Sequence, residues 1–315
     1  MSPEPVYLQV LKKRNEAQGV VSLELSRIDG TPLPHWEPGA HIDVTLPNGL
    51  TRQYSLCGAP ERRDLWRIAV LDEPQSRGGS RLIHESVSEG DVLTASPPRN
   101  HFPLVDASAY VFVAGGIGIT PILPMLDRVS RNGKAWLLIY GGRARANMAF
   151  LDEISSFPKE AVQVCPHDEI GLIDLTAIED FINTDMAIYC CGPGTLIDAV
   201  ETRFGGRAGI AVYRERFTAS ASAHLEEGAF EVELARTGGR LIVPPFESML
   251  RVLHDAGCDV PHSCEAGICG TCAVRVLAGT PDHRDDVLTD RERDAGDVML
   301  PCVSRALSSR LVVDL

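Results

Sequence analysis

The nine residues from Cys264 to Cys272, CEAGICGTC, constrain the fold of this chain more than any other feature. Cys264, Cys269 and Cys272 are spaced Cys-x4-Cys-x2-Cys, and Cys302 follows after 29 intervening residues. A fold that uses all four must wrap three thiols on one small-residue loop and carry the fourth back to them. The spacing is that of a plant-type [2Fe–2S] site, where two irons share four thiolates. Gly267 and Gly270 let the backbone come close, so that its N–H groups can bond the sulfurs. A structural zinc site would show a second Cys-x2-Cys pair or added histidines. Only the Cys269–Cys272 pair is present, with His262 nearby, and a redox disulfide across that pair is the third reading. The spacing favours the cluster. Cys57, Cys165, Cys190 and Cys258 read as small buried hydrophobes.

Upstream, the texture changes once near Pro103. Before it, VVSLELSRI (20–28), HIDVTLP (41–47) and LWRIAVL (65–71) are short alternating runs between turns, the pattern of an antiparallel β-barrel. After it, apolar strands alternate with helical stretches, the pattern of a parallel α/β sheet. Two motifs in the β-rich part suit a phosphate-bearing planar cofactor. In RQYS (52–55), Arg52 can balance phosphate, Tyr54 can cover a heterocycle and Ser55 can bond its edge. In RGGS (77–80), glycines at a helix start expose N–H donors. The plain alternative for the second motif is a surface turn with a capping serine.

In the α/β part, GGIGITP (115–121) sits between a buried strand and a helix, where a dinucleotide loop belongs. Gly115, Gly116 and Gly118 supply the turn, and Pro121 stands where the Rossmann pattern has its third glycine. Arg143 replaces the acidic residue expected after the next strand, so the pattern leaves NADH and NADPH both open. CCGPGTLI (190–197) ends another strand at a Gly192-Pro193 turn, with Cys191 placed to lie against a nicotinamide ring.

The formal charge of −13 argues against nucleic acid and anionic membrane as partners. Residues 226–315 hold nine arginines, no lysine and sixteen acidic residues, −7 of that total, which could steer a basic partner. The uncharged run 109–126 has the length of a membrane helix, but its glycines and prolines read as strand, turn and helix. No signal layout opens the sequence, and a cytoplasmic monomer is expected. No hydrolytic triad stands out, and DHRDD (282–286) reads as a solvated loop rather than a metal site.

RQYS, RGGS, PPRNHFPL, VAGGIGITP, YCCGP, SCEAGICGTC, DHRDDVLTD and CVSRA occur in this order over nearly the whole chain. In this it resembles the phthalate dioxygenase reductase family, which includes the vanillate O-demethylase reductases. The resemblance implies three domains: an FMN-binding β-barrel (1–103), a nicotinamide-binding α/β domain (104–218) and, after a linker (219–229), a plant-type ferredoxin domain of β-grasp form (230–315). It implies FMN held by Arg52, Gln53, Tyr54, Ser55, Ala69, Val70, Gly78, Gly79, Ser80, Thr120, Glu215 and Phe217. NADH would bind at Gly115, Gly116, Gly118, Pro121, Arg143, Cys191, Gly192 and Pro193, and the cluster at Cys264, Cys269, Cys272 and Cys302. Phe217 would lie near the flavin, and no side chain is required as acid or base. Thr218 stands where relatives have glycine. The implied partner is a Rieske non-haem iron oxygenase. The alternatives kept are FAD with NADPH in the same role, and a zinc-stabilised binding module on a degenerate reductase scaffold.

Overall fold

The computed structural model describes residues 4–73, 78–181, 185–217 and 228–315. Arg77, Thr218 and most of the expected linker 219–229 lie outside the described residues. The chain divides between residues 217 and 218 into two units.

The first unit begins with β1 (Val6–Ala17), β2 (Val20–Arg27), β3 (Ala40–Thr45), β4 (Thr51–Ser55), β5 (Trp66–Leu71), helix α1 (Gly79–Glu85), β6 (Val92–Ala95) and β7 (Arg99–Asn100). The strands run β4-β3-β6-β1-β2-β5, antiparallel throughout, with β7 added beside β3. The ends of this path meet: Leu56 bridges to Ile68, and the Cys57 N–H donates to the Arg67 carbonyl at 2.9 Å. The sheet is thus closed into a barrel. Alternation explains its filling: Val6, Leu8 and Val10 of β1 are buried while Tyr7 and Leu11 face out. They join Leu23, Leu25, Ile42, Val44, Trp66 and Ile68 in one core, to which α1 adds Ile83.

The same unit continues with β8 (Ala109–Gly115), α2 (Ile119–Arg131), β9 (Ala135–Gly142), α3 (Leu151–Ile154), β10 (Val162–Pro166), α4 (His167–Ile170), α5 (Thr176–Phe181), β11 (Met186–Gly192), α6 (Gly194–Phe204) and β12 (Ile210–Arg216). Five strands form a parallel sheet in the order β10-β9-β8-β11-β12. All seven residues of β8 are buried, as a strand covered on both faces requires. The strand order reverses at β8, whose neighbours are β9 and β11. The crevice at the carboxyl ends of β8 and β11 is therefore the topological switch point. Helix α3 is only the four residues Leu151–Ile154, entered through Phe150 in the left-handed region at φ 62°.

The second unit contains β13 (Phe230–Leu234), β14 (Arg240–Val243), α7 (Met249–Asp255), β15 (Val274–Ala278), β16 (Pro281–Asp282), α8 (Asp290–Ala295), β17 (Val298–Met299), β18 (Arg305–Ala306) and β19 (Arg310–Val313). Its mixed sheet runs β14-β13-β19-β15-β17, with β13 and β19 parallel, and β16 pairs with β18. Helix α7 is capped by Ser248, whose hydroxyl accepts the Arg251 N–H at 3.2 Å, and buries Met249, Leu250 and Leu253 in the core of this unit. Among the described residues no helix is long and apolar enough to cross a membrane.

Ile188 lies fully buried in β11, between β8 and β12. Ile188→Ala is expected to cost about 2–5 kcal/mol. Calorimetry should show a lower unfolding transition for the first unit and an unshifted one for the cysteine-bearing unit. A shift of both together would contradict separate cores.

Candidate functional site

Four cysteines meet in the second unit as two pairs. The Cys264 thiol donates to the Cys269 sulfur, and Cys302 is paired in the same way with Cys272. The donor thiols Cys264 and Cys302 are pushed up, and Cys269, which receives a hydrogen bond from Cys264, is held below its ordinary value. Backbone amides converge on the same sulfurs. The Ala266 N–H donates to Cys264 Sγ at 3.3 Å, those of Ile268 and Thr271 reach Cys264 and Cys269, and that of Gly267 reaches Cys302. Such donors favour thiolates over thiols. The loop attains this shape through left-handed backbone at Gly267 (φ 72°) and Gly270 (φ 68°). A Cβ on Gly267 would stand 2.7 Å from Val303 Cγ2. Among the described residues no three His, Cys, Asp or Glu side chains gather around one metal-ion position. Two thiols on each side instead suit a two-iron cluster, one pair per iron. Among the described residues the buried Ser263 hydroxyl has no partner, and it stands next to Cys264 in the chain. Cys264 is the most exposed of the four.

The string DHRDD is not a solvated loop. Asp285 is buried, and its carboxylate accepts the N–H groups of Val287 and Leu288 at 3.0 and 2.8 Å and faces Arg293 at 3.4 Å. The Asp286 N–H donates to the Gly267 carbonyl at 2.9 Å, which ties this knot to the cysteine loop. The alternation of charges suggested solvent. The signal that could have shown otherwise is the Asp followed two and three residues later by apolar Val287 and Leu288, a short side-chain-to-backbone turn.

In the barrel, the two phosphate motifs touch. A Cβ on Gly79 would stand 2.8 Å from Arg52 Cγ and 2.9 Å from its Nε, so the Arg52 side chain lies across the first turn of α1. Gly78 supplies the left-handed residue (φ 86°) that precedes α1, and Ser80 accepts the Glu73 N–H at 3.2 Å. A guanidinium beside main-chain N–H groups fits a phosphate. Ser55 is buried, Gln53 and Tyr54 are half-buried, and burial raises the Tyr54 phenol. Ala69 and Val70 are core residues, and the Val70 carbonyl is bonded to the His84 ring at 2.9 Å. What these two can present to a ligand is main chain.

At the switch point the two glycine turns are in contact. A Cβ on Gly118 would stand 2.2 Å from the Cys191 carbonyl, one on Gly115 2.5 Å from Pro193 Cδ, and one on Gly192 2.8 Å from the Gly115 Cα. Gly116 adopts φ 57°. Pro121 is the third residue of α2. The Ile117 carbonyl that its missing N–H would leave open is taken by the Thr120 hydroxyl at 2.9 Å. Thr120 is buried, and Arg143 is exposed just beyond β9.

Cys191 is fully buried at the end of β11, opposite Glu215 of β12, with Sγ 4.0 Å from Glu215 Oε2. Burial, then the carboxyl beside it, pushes this thiol well up, so it is no nucleophile at neutral pH. Part of the Glu215 side chain reaches the surface, yet its carboxyl is enclosed deeply enough to be pushed from 4.5 up to about 8. Phe217 follows at the surface, 36% exposed.

Two family models match separate stretches of the chain. The profile of the 2Fe-2S iron-sulfur cluster binding domain matches residues 232–307, and that of the oxidoreductase NAD-binding domain matches residues 112–202. The chain is 41% identical to a vanillate O-demethylase oxidoreductase of Pseudomonas sp. (strain HR199 / DSM 7063) over 95% of this chain and 96% of that one. It is 38% identical to a phthalate dioxygenase reductase of Burkholderia cepacia over 98% and 97%. Among solved structures it resembles phthalate dioxygenase reductase, at 37% identity, full coverage of both chains and a TM-score of 0.74. It also resembles an intact type IV self-sufficient cytochrome P450 monooxygenase, at 39% identity and a TM-score of 0.91 over 99% of this chain, which spans 41% of that one.

Between pH 4.5 and about 8 the folded chain holds a proton on Glu215 that the unfolded chain has released. Stability should therefore fall as pH rises through that window and level off above it. Glu215→Gln keeps the neutral shape and cannot titrate. Its melting temperature is expected to lose a decline of several degrees that the parent shows between pH 5 and 8. Parallel melts with equal slopes would contradict the enclosed carboxyl.

Proposed function

The chain belongs to the phthalate dioxygenase reductase family, and on that premise we propose that it delivers electrons from NADH, through FMN and a [2Fe–2S] cluster, to a separate Rieske-type oxygenase. When bound, the flavin takes an electron pair from the nicotinamide and the cluster takes electrons singly, so the chain is a two-to-one electron converter. The observation that most supports this reading is the four thiols in two touching pairs, carried on the same chain as a dinucleotide crevice.

The division of labour follows from the residues. Residues 1–103 hold the flavin, with Arg52 and the Gly78-Gly79-Ser80 turn at its phosphate and Tyr54 and Ser55 at its ring. Residues 104–218 hold the nicotinamide nucleotide at Gly115, Gly116, Gly118, Gly192 and Pro193. Arg143, exposed beyond β9, is free of any acidic neighbour in sequence that would favour one ribose over a phosphorylated one. Cys191 and Glu215, neutral together at pH 7, offer the crevice an uncharged floor. Residues 230–315 hold the cluster, with backbone N–H groups stabilising its sulfurs. The oxygenase, its aromatic substrate and a cytoplasmic location complete the reading. The likeness to part of a self-sufficient cytochrome P450 monooxygenase favours a second one, in which the acceptor is a haem oxygenase.

Cys272→Ser tests the assignment. The variant is expected to keep NADH-dependent bleaching of its flavin and to lose reduction of any acceptor served by the cluster. A folded variant that no longer bleaches would contradict the separation of the two steps. Flavin released by heat and run against standards separates FMN from FAD, and a colourless purified chain containing zinc would overturn the reading altogether.

A further inference from the structure

Asp285, the middle acid of DHRDD, carries a charge that its turn does not need. One oxygen, Oδ1, accepts both N–H groups, from Val287 at 3.0 Å and from Leu288 at 2.8 Å. The amide oxygen of an asparagine would serve the same turn. Yet the side chain is fully buried, where a carboxylate is costly unless it is well paired. The pairing is loose. Arg293 stands 3.4 Å from Oδ1, while its Nε donates to the Leu288 carbonyl at 3.1 Å and its amino group also serves the Asp285 carbonyl. Asp285 Oδ2 has no hydrogen-bond partner among the described residues, and the nearest nitrogen of the His283 ring is 3.9 Å away. Arg284 and Asp282, two residues off, meet at 2.8 Å.

This charge lies against the cysteine loop. A Cβ on Gly267 would stand 3.1 Å from the Asp285 Cα and 3.4 Å from its Cβ. Gly267 falls between Cys264 and Cys269 in the chain, and its N–H reaches the Cys302 sulfur. The Arg293 side chain is 26% exposed and that of Asp285 not at all, so solvent screens the cation more than the anion. The loop therefore feels a net negative charge. Nearby charge is one determinant of an iron–sulfur potential, and a fixed anion opposes the arrival of an electron.

We propose that Asp285 and Arg293 set the reduction potential of the cluster held by the four cysteines, the carboxylate keeping it low and the guanidinium partly offsetting this. The proposal rests on the [2Fe–2S] reading of those cysteines. In the step concerned the oxidised cluster gains one electron, from the reduced flavin, and neither Asp285 nor Arg293 gains or loses a proton. A low potential makes the next transfer, to the acceptor, downhill.

The test is a redox titration of the full holo-chain at one pH, with dithionite and mediators in place of NADH. The signal is the electron paramagnetic resonance of the reduced cluster. Asp285→Asn keeps the turn and is expected to raise the midpoint potential, favouring the reduced state about tenfold, or about 59 mV for one electron. Arg293→Gln should lower the potential by less, Arg293→Lys should stay near the parent, and the double variant Asp285→Asn, Arg293→Gln should fall between the singles. Asp290→Asn, at an exposed acid five residues on, should not move it. If Arg293→Gln does not fold, Asp285→Asn against Asp290→Asn decides alone. A turn that only braces the loop would shift both single variants in the same direction. That result, or an unshifted Asp285→Asn, would overturn the proposal. A parent chain that binds no iron at its cysteines would bring down the cluster reading, and the proposal with it.

Discussion

Four thiols held within reach of one another are the constraint on which the cysteine-bearing unit depends. As thiolates they repel, and a small unit cannot bury four like charges without a cation among them. The fold answers with backbone rather than with side-chain cations. Left-handed Gly267 and Gly270 turn the loop so that amides of residues 266, 267, 268 and 271 approach the sulfurs. The knot around Asp285 then fixes that loop from behind, through Arg293, the N–H groups of residues 287 and 288, and the bond from Asp286 to Gly267. Metal loading must release the protons that Cys264 and Cys302 share with their neighbours, so assembly and pH are linked.

The other unit solves a different problem with the same residue type. At the switch point, glycine is needed because two turns from neighbouring strands press together. Three of them, Gly115, Gly118 and Gly192, have no room for a Cβ against the opposing turn. This close packing leaves main chain rather than side chains where the two turns meet. At the end of β11, Cys191 and the enclosed carboxyl of Glu215 form a neutral pair at physiological pH. The barrel contributes a contact of the same kind, Arg52 lying against Gly79.

Much of this was legible in the sequence because the chemistry is carried by spacing. Cys-x4-Cys-x2-Cys and Gly-x-Gly between strand and helix each impose local geometry, and Val20–Arg27, Met186–Gly192 and Gly194–Phe204 form the elements their patterns indicate. What escaped was long-range. β1 is twelve residues whose second half, KKRNEA, is polar, and it is held as strand by pairing with β2 and β6 rather than by its own pattern. The barrel's closure at Leu56 and Ile68 has no local signature. DHRDD reads as solvent-loving by composition, yet its central Asp is buried by a turn and an arginine eight residues on. Phe246 shows the converse, an apolar residue on the outside, which composition would have placed in the core.

The central claim is that one chain takes electrons from a pyridine nucleotide and presents them singly at its four cysteines. Anaerobic addition of NADH, followed by low-temperature electron paramagnetic resonance and iron analysis on the same sample, tests it most directly. The account predicts two irons and the spin of one reduced [2Fe–2S] cluster per chain, appearing only after NADH is added. A silent spectrum from an NADH-treated, flavin-loaded chain, or zinc in place of iron at the cysteines, would contradict it.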